Sequence, residues 1–305
     1  MREMPGRLIT DTGNIFAIQR DDEIVLGNHR YRVTGHVYEQ RFGIDDPKVW
    51  VKRVEDCETG EKKILKLAYL ESFKITVGGV DIRCFRNPDK EGAILNLVQN
   101  HPNFMQGTSC RDQEGHNIRV LDIVPGPNYY VYLDNIQMPY ASYFTNMLPG
   151  LLRNLVKAFE AIRFLHINDF RHGDIRNDHL IIDNNTGHYV WIDFDYDFES
   201  LENRFSLDIF GMGNLILYTV GKGFHTYYEI KNNPYIYKDL LAKLEPDDFA
   251  LLDKQRLVNL KKLYPQIPNL LNHVLMHFSR GAEVYYEFAE EVIEDLNKCI
   301  HAHFM

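Results

Sequence analysis

The sequence predicts an α+β protein of two lobes, a small strand-rich lobe followed by a larger helical one. Three observations carry this. Runs of β-branched and aromatic residues, bounded by turn residues, fill about 31–133. Apolar residues recur at helical spacing from about 139 to 305. The chain's 305 residues are 45% apolar and 25% charged, enough for one large domain or two coupled lobes with a sizeable core.

Taken in order, residues 1–30 mix charge with short apolar runs, IFAIQ and EIVLG, around a turn at Gly27-Asn28; they read as an extension with two strands. From Tyr31, YRVTGHVYEQ, KVWVKRV and KKILKLAYL are separated by Gly43 to Pro47 and by Glu58-Thr59-Gly60, so three antiparallel strands joined by hairpins are expected. Asn87-Pro88-Asp89 starts a helix, with Pro88 where a missing N–H costs least and acids in the first turn. Ile94, Leu95 and Val98 form its apolar face, and Asn100-His101-Pro102 ends it. IRVLDIV and YYVYLDNI read as further strands, and 134–138 as a hinge into a helical lobe at 139–305. There, Leu151, Leu152, Leu155, Val156, Phe159, Ile162 and Leu165 mark a long amphipathic helix over 148–167. The run LDIFGMGNLILYTV, 207–220, is apolar on nearly all sides, as a helix buried inside a lobe must be. Further helices are expected at about 237–244, 246–262, 267–278 and 283–300, the last with Phe288, Val292, Leu296 and Ile300 on one face.

The net charge of -9 repels phosphate backbones and anionic lipid, so neither nucleic acid nor a membrane is the expected partner. Cys57, Cys84, Cys110 and Cys299 form no CxxC pair, which argues against a zinc site or disulfide framework and suits a reducing compartment. MREMPGRLITD lacks the apolar segment of a signal peptide, and no apolar run approaches the ~18 residues of a membrane span. A cytoplasmic location is the expectation.

The chemistry concentrates in RHGDIRNDHLIID (171–183) and VWIDFDYDF (190–198). Each sets a carboxylate, Asp174 or Asp193, beside an apolar run that reads as a short buried strand or its entry turn. Taken singly, HGD reads equally as a turn, and IDFDYD as an acidic loop or a DxD metal site. Lys66 alone is a strand lysine, Glu91 an exposed helix charge and Asp208 a helix N-terminal acid. Their order is the specific feature: strand lysine, helix glutamate, amphipathic helix, HGD, strand pair, IDF, then a buried helix beginning with aspartate.

In that order the chain resembles the protein kinase superfamily over about 31–300. The resemblance implies a two-lobed protein-kinase-like fold, with a small antiparallel-sheet N-lobe carrying one helix, a larger helical C-lobe, and ATP bound in the cleft beside the hinge. Mg²⁺, with Mn²⁺ as the other candidate, would be the metal. Asp174 would orient the acceptor hydroxyl, Asp193 would bind the metal, and Glu91 would hold Lys66 over the α- and β-phosphates. Arg176 would stabilise charge on the transferring phosphoryl group, and Asp208 would accept backbone N–H bonds from the catalytic loop. The closing stretch IPNLLNHVLMHFSRGAEVYYEFAEEVIEDL, with Arg280 between its helices, looks like that of eukaryotic-type kinases.

Four departures qualify the pattern. Against GxGxxGxV the chain offers VYEQRFGIDDPKVWV, with Gly43 the one placed glycine and Ile44 to Lys48 inserted. His179 stands where an asparagine would take a second Mg²⁺; one metal suffices, or Asn177 or Asp178 substitutes, or the site is weak. HGD replaces HRD. Only 14 residues separate Asp193 from Asp208, without an APE motif, which leaves little room for an activation loop or peptide platform. RIO-type atypical kinases and aminoglycoside phosphotransferases share HGD with a compact segment. Asp195 replaces the glycine after IDF, and with Asp197 it places negative charge near the metal, to help bind Mg²⁺ or a cationic substrate or simply to form a solvated acidic loop. The expected function is ATP-dependent phosphoryl transfer of the serine/threonine kinase type, with a protein acceptor ahead of a small molecule. The alternatives are a small-molecule kinase and a pseudokinase acting as a nucleotide-binding or scaffolding module.

Overall fold

The computed structural model describes residues 6–41, 44–77, 80–199 and 203–304. In chain order the elements are β1 (Leu8–Ile9), β2 (Glu23–Leu26), β3 (His29–Arg41), β4 (Ile44–Asp56), β5 (Lys62–Lys66), β6 (Ser72–Val77), β7 (Val80–Arg86), α1 (Pro88–Leu97), β8 (Gly107–Arg111) and β9 (Asn117–Asp122). They continue with α2 (Tyr129–Asp134), α3 (Tyr140–Asn146), α4 (Leu148–Ile167), β10 (Leu180–Ile182), β11 (Tyr189–Trp191), β12 (Tyr196–Phe198), α5 (Ser206–Gly221), α6 (Tyr227–Asn232), α7 (Pro234–Tyr237), α8 (Asn269–Met276) and α9 (Ala289–His303). The chain is thus mixed α+β, with a multi-strand sheet in its N-terminal part and a helical C-terminal region. It forms two compact units: Met1–Ser72 with Phe85–Val124 and Phe194–Tyr196, and Phe73–Cys84 with Pro125–Asp193 and Asp197–Met305.

In the first unit, seven strands pair in the order β1-β2-β3-β4-β5-β9-β8, antiparallel except for β1 with β2. Alternation along β2, β3 and β4 turns Ile24, Leu26, Tyr31, Val33 and Val54 to one core, joined by Leu65, Leu67, Ile118 and Val120. Ile15 and Ile18 of the N-terminal arm close that core, so the arm is structural. Helix α1 starts as its sequence dictates: the Asn87 side chain accepts from Lys90 N at 3.0 Å and Pro88 takes the first turn. A Cβ on Gly92 would sit 2.7 Å from Ser109 Oγ, so only glycine lets α1 lie this close to β8.

The arm is tied down by Lys52, fully buried on β4. Its Nζ donates to Ile15 O at 3.1 Å and Ile18 O at 2.9 Å, with His36 Nδ1 at 3.4 Å. Burial draws its pKa down to about 8, against a smaller upward pull from Asp22. The folded value lies below the ordinary 10.5, so between about 8 and 10.5 the unfolded chain holds the extra proton and stability rises with pH. In urea unfolding, the wild type is expected to gain on a Lys52→Met variant from pH 8 to 10. Parallel curves would refute this account.

In the second unit, α4 buries Leu151, Leu152, Leu155, Phe159, Ile162 and Leu165, six of the seven residues that marked its periodicity, with Val156 half-buried, and packs against α5 and α9. Helix α5 is buried on most of its surface. A Cβ on Gly211 would lie 2.5 Å from Ile175 Cβ, and one on Gly213 would lie 2.4 Å from the Phe278 ring. These glycines let α5 seat directly against the loop that carries Asp174 and against Phe278. Strand pair β10-β11 completes the unit, and β12, β7 and β6 pair in that order as a separate three-stranded sheet.

Several expectations are corrected. YYVYLDNI is helical over α2: Asn128 accepts from Val131 N at 2.8 Å, Tyr129 and Leu133 are buried four residues apart, and Tyr130 and Val131 are exposed. The intervening aromatics made this helical period look extended. Residues 246–262 are not a helix; two 3₁₀ turns flank a bridge between Phe249 and Leu257. Buried Asp248 organises them by accepting from Glu245 N, Asn259 Nδ2 and Lys262 Nζ at 2.7–2.8 Å. Over 237–244 the helix α7 stops at Tyr237, where Lys238 takes φ +47°, and a 3₁₀ turn follows. The last helix begins at Ala289, six residues later than expected. Strands β6, β7 and β8 and helix α3 had no counterpart in the sequence reading. Among the described residues no helix is long and apolar enough to cross a membrane.

Candidate functional site

Two side-chain constellations gather the residues singled out in the sequence, one in each unit. In the first, Lys66 ends the central strand β5 and is 3% exposed. Register places it beside Arg119 of β9, two cations side by side, which is unfavourable unless an anion intervenes. Glu91 of α1, fully buried, supplies it: Oε1 lies 3.0 Å from Lys66 Nζ and Oε2 lies 2.9 Å from Arg119 Nε.

Lys66 also meets Asp195 Oδ2 at 3.1 Å. Asp195 is 1% exposed and accepts both its oxygens' bonds from Arg86 Nη1, at 3.0 and 2.9 Å, while Arg86 Nε reaches Glu71 at 3.0 Å. The Arg86 guanidinium lies 4.8 Å from the Trp50 ring centroid and 4.1 Å from that of Tyr196, and Asn87 N donates to Asp195 O at 2.7 Å. Three cations (Lys66, Arg86, Arg119) thus alternate with three carboxylates (Glu91, Asp195, Glu71). This corrects the expectation that Asp195 and Asp197 lend loose negative charge to a metal or form a solvated loop. Asp195 is locked in this network, and Asp197 in the second unit pairs with Arg171. Gly43 lies outside the described residues.

In the second unit, the loop after α4 is pinned by Asp208 at the start of α5. Its carboxylate accepts from His172 N at 2.7 Å, Gly173 N at 2.8 Å and His166 Nε2 at 3.0 Å. Burial alone would raise the Asp208 carboxyl; the His166 bond, the His166 and His172 charges and the Gly173 amide outweigh it and hold the pKa down to about 2. Gly173 takes φ +88°, which accounts for glycine at this position of HGD.

Asp174 and Asp193 lie on the two sides of one imidazole. His179, 4% exposed in a 3₁₀ turn, has Nδ1 2.9 Å from Asp174 O and 3.4 Å from Asp174 Oδ2, with Nε2 3.3 Å from Asp193 Oδ2. Burial raises the Asp174 carboxyl above its ordinary value; His179 and Arg176 oppose this, and Asp193 and Asp178 add to it. Asp193 follows β11 with φ +64°, a left-handed conformation that is strained for a residue with a Cβ and held by its surroundings. The neighbouring Ile192 N donates to His179 O at 3.0 Å, continuing the β10-β11 pairing. Arg176 forks onto Asp178 and lies 3.8 Å from Asp174, so Asp178 is engaged by this cation and is a poor stand-in metal ligand.

The sequence reading missed a further grouping in the first unit, where Asp11, Asp112 and His116 bring one ligand atom each within 4.8 Å of one another. Asp112 there already accepts from Thr12 N and Oγ1 at 2.7 Å and from His116 N at 2.9 Å, bonds that explain it as loop structure. Compared with protein-family models and with curated proteins, the chain matches none.

Proposed function

We propose that the protein is an ATP-dependent phosphotransferase of the protein kinase superfamily, moving the γ-phosphoryl group to a hydroxyl of a protein acceptor. The observation that carries this reading is the convergence of Asp174 and Asp193, 19 residues apart in sequence, on the two nitrogens of His179. The Lys66–Glu91 pair supports it independently. Asp174 accepts the acceptor hydroxyl's proton as the new O–P bond forms and the bond from the γ-phosphorus to the β-phosphate oxygen breaks; burial, by raising its pKa, makes it a better base. Lys66, aimed by Glu91 at 3.0 Å, binds the nucleotide phosphates. Asp193, with His179 beside it, offers a donor set that fits a divalent cation, whose charge would offset that of the phosphates. Asp208 holds the loop carrying Asp174 through two backbone amides.

A second reading is favoured by one contact. Asp195 sits on Lys66 where phosphate oxygens would compete for the same ammonium, as suits a nucleotide-regulated module that does not transfer phosphate. Incorporation of labelled γ-phosphate with Mg²⁺ or Mn²⁺, into the protein itself, a generic protein acceptor and a panel of hydroxyl metabolites, separates these readings. The expected result is incorporation into protein that falls at least about 100-fold in Asp174→Asn and in Asp193→Asn. Metal-dependent ATP binding with no transfer to any acceptor would favour the second reading. Transfer to metabolites alone would move the acceptor to a small molecule.

A further inference from the structure

We propose that His273 and His277 of α8 form a surface site for a transition dication of the Zn²⁺ class, apart from the residues of the phosphotransferase reading and independent of it. The two stand four positions apart in HVLMH, a spacing that places side chains on one helix face with Cβ atoms about 5–6 Å apart. His273 lies in the last turn of α8 and His277 at its C-cap, where the backbone stays helical at φ -62° and ψ -14°. Their ring centroids are 4.7 Å apart, with the planes inclined at 69°. Two imidazoles on one ion, with metal–nitrogen bonds near 2.1 Å and right-angle to tetrahedral geometry, have ring centres about 4.6–5.3 Å apart. An edge-to-face contact of the rings suits the same spacing. The pair therefore stands at chelating distance before any metal arrives.

His277 also has the fixed ring of a ligating histidine. Its Nδ1 lies 2.8 Å from Val284 O, which can only accept, so Nδ1 is the donor and Nε2 is the nitrogen that faces away from the bond. The ring lies 4.3 Å from that of Tyr286, whose hydroxyl donates to Asp295 Oδ2 at 2.9 Å. His273 is exposed, and among the described residues neither it nor Nε2 of His277 is engaged in a hydrogen bond or ion pair. Its ring is free to turn a nitrogen toward the ion. The local field favours a cation twice over: the C-terminal end of a helix is its negative pole, and Asp295 lies within electrostatic reach of His277. Imidazole nitrogen suits Zn²⁺, Cu²⁺, Ni²⁺ and Co²⁺, whereas Mg²⁺ and Ca²⁺ take oxygen ligands. Water completes the coordination. Bound there, the ion strengthens the Nδ1–H bond to Val284 and so braces the end of α8 against the turn that leads to Tyr286.

Co²⁺, which takes the same ligands as Zn²⁺ and broadens nearby resonances, is the probe. The full chain labelled with ¹⁵N-histidine is titrated with Co²⁺ in excess Mg²⁺, and the ring signals are assigned with His273→Gln and His277→Gln. His301 and His303 are the internal control, since they are also exposed but stand two positions apart on α9 and do not share a face. The expected result is that the His273 and His277 rings broaden together, before those of His301 and His303, and sharpen again when Zn²⁺ displaces the probe. Two preset ligands act as one bivalent ligand, so His273→Gln, a change at an exposed position, should lower Co²⁺ affinity at this site at least about tenfold. Rings that broaden no earlier than the control pair, or a His273→Gln variant in which His277 broadens at the wild-type Co²⁺ concentration, would overturn the site. Phosphate transfer plays no part in this readout, so the metal site and the phosphotransferase reading fail separately.

Discussion

Replacing Asp195 with alanine is expected to cost about 3–5 kcal/mol of stability, because removing one partner of a buried ion network leaves the others uncompensated. Asp195 is 1% exposed and takes two bonds from Arg86 and one from Lys66. In the variant, Arg86 keeps Glu71, which is partly solvated, and Lys66 keeps Glu91, which it shares with Arg119. One anion is then asked to serve two buried cations. Removing Arg86 together with Asp195 takes away one charge of each sign, so Arg86→Met/Asp195→Ala is expected to cost clearly less than the two single changes added together. Urea unfolding of the four proteins measures the coupling, expected at about 2 kcal/mol or more. Additivity within about 0.5 kcal/mol would show that the contacts contribute nothing as a network. The result also bears on the lysine, since its position is set by both carboxylates.

This network shows where sequence reading stops. Lys66 and Glu91 could be paired in advance because a strand lysine and a first-turn helix glutamate stood in a recognisable order with the later motifs. Arg86 could not, since its strand β7 had not been read and its partner Asp195 lies 109 positions away. An acid that replaces glycine after IDF looks like loose charge until its distant counter-ions are known. Asp208 alone reads as a helix N-terminal acid; its hold on the loop is expected only from the ordered resemblance, because its partners His172 and Gly173 lie 36 and 35 positions away. Local patterns misled where tertiary partners override them. The aromatic and β-branched run of α2 has strand-like composition, yet Tyr129 hydrogen-bonds Thr219 at 2.8 Å and sets a helical phase. Residues 246–262 have helix-forming composition but are organised around Asp248. His179 was recognised as a departure; that its ring would span both acids required the 3₁₀ turn and the strand pair to be known.

Asp208→Asn is expected to weaken both stability and transfer, with a pH signature that identifies the cause. Three donors converge on this carboxylate: His166 Nε2, His172 N and Gly173 N. An asparagine oxygen can take at most two of them, and its NH₂ group would face a third donor, so a loss of about 2–3 kcal/mol near neutral pH follows. In the folded wild type the carboxyl stays ionised down to about 2, against an ordinary value of 3.8. The unfolded chain therefore takes up this proton first as the solution is acidified. The stabilisation is complete above the ordinary value and disappears as pH falls through 3.8 toward 2. The difference in urea midpoint between wild type and Asp208→Asn should be constant from pH 7 to about 5 and shrink below 4. A difference that persists unchanged at pH 2 would mean that the asparagine disturbs packing and that charge is not the cause. On the proposed phosphotransferase reading, Asp208 acts through the loop it pins, so the same variant should lower the transfer rate while leaving nucleotide affinity within about twofold. A loss of affinity as large as the loss of rate would place Asp208 outside the positioning role given to it here.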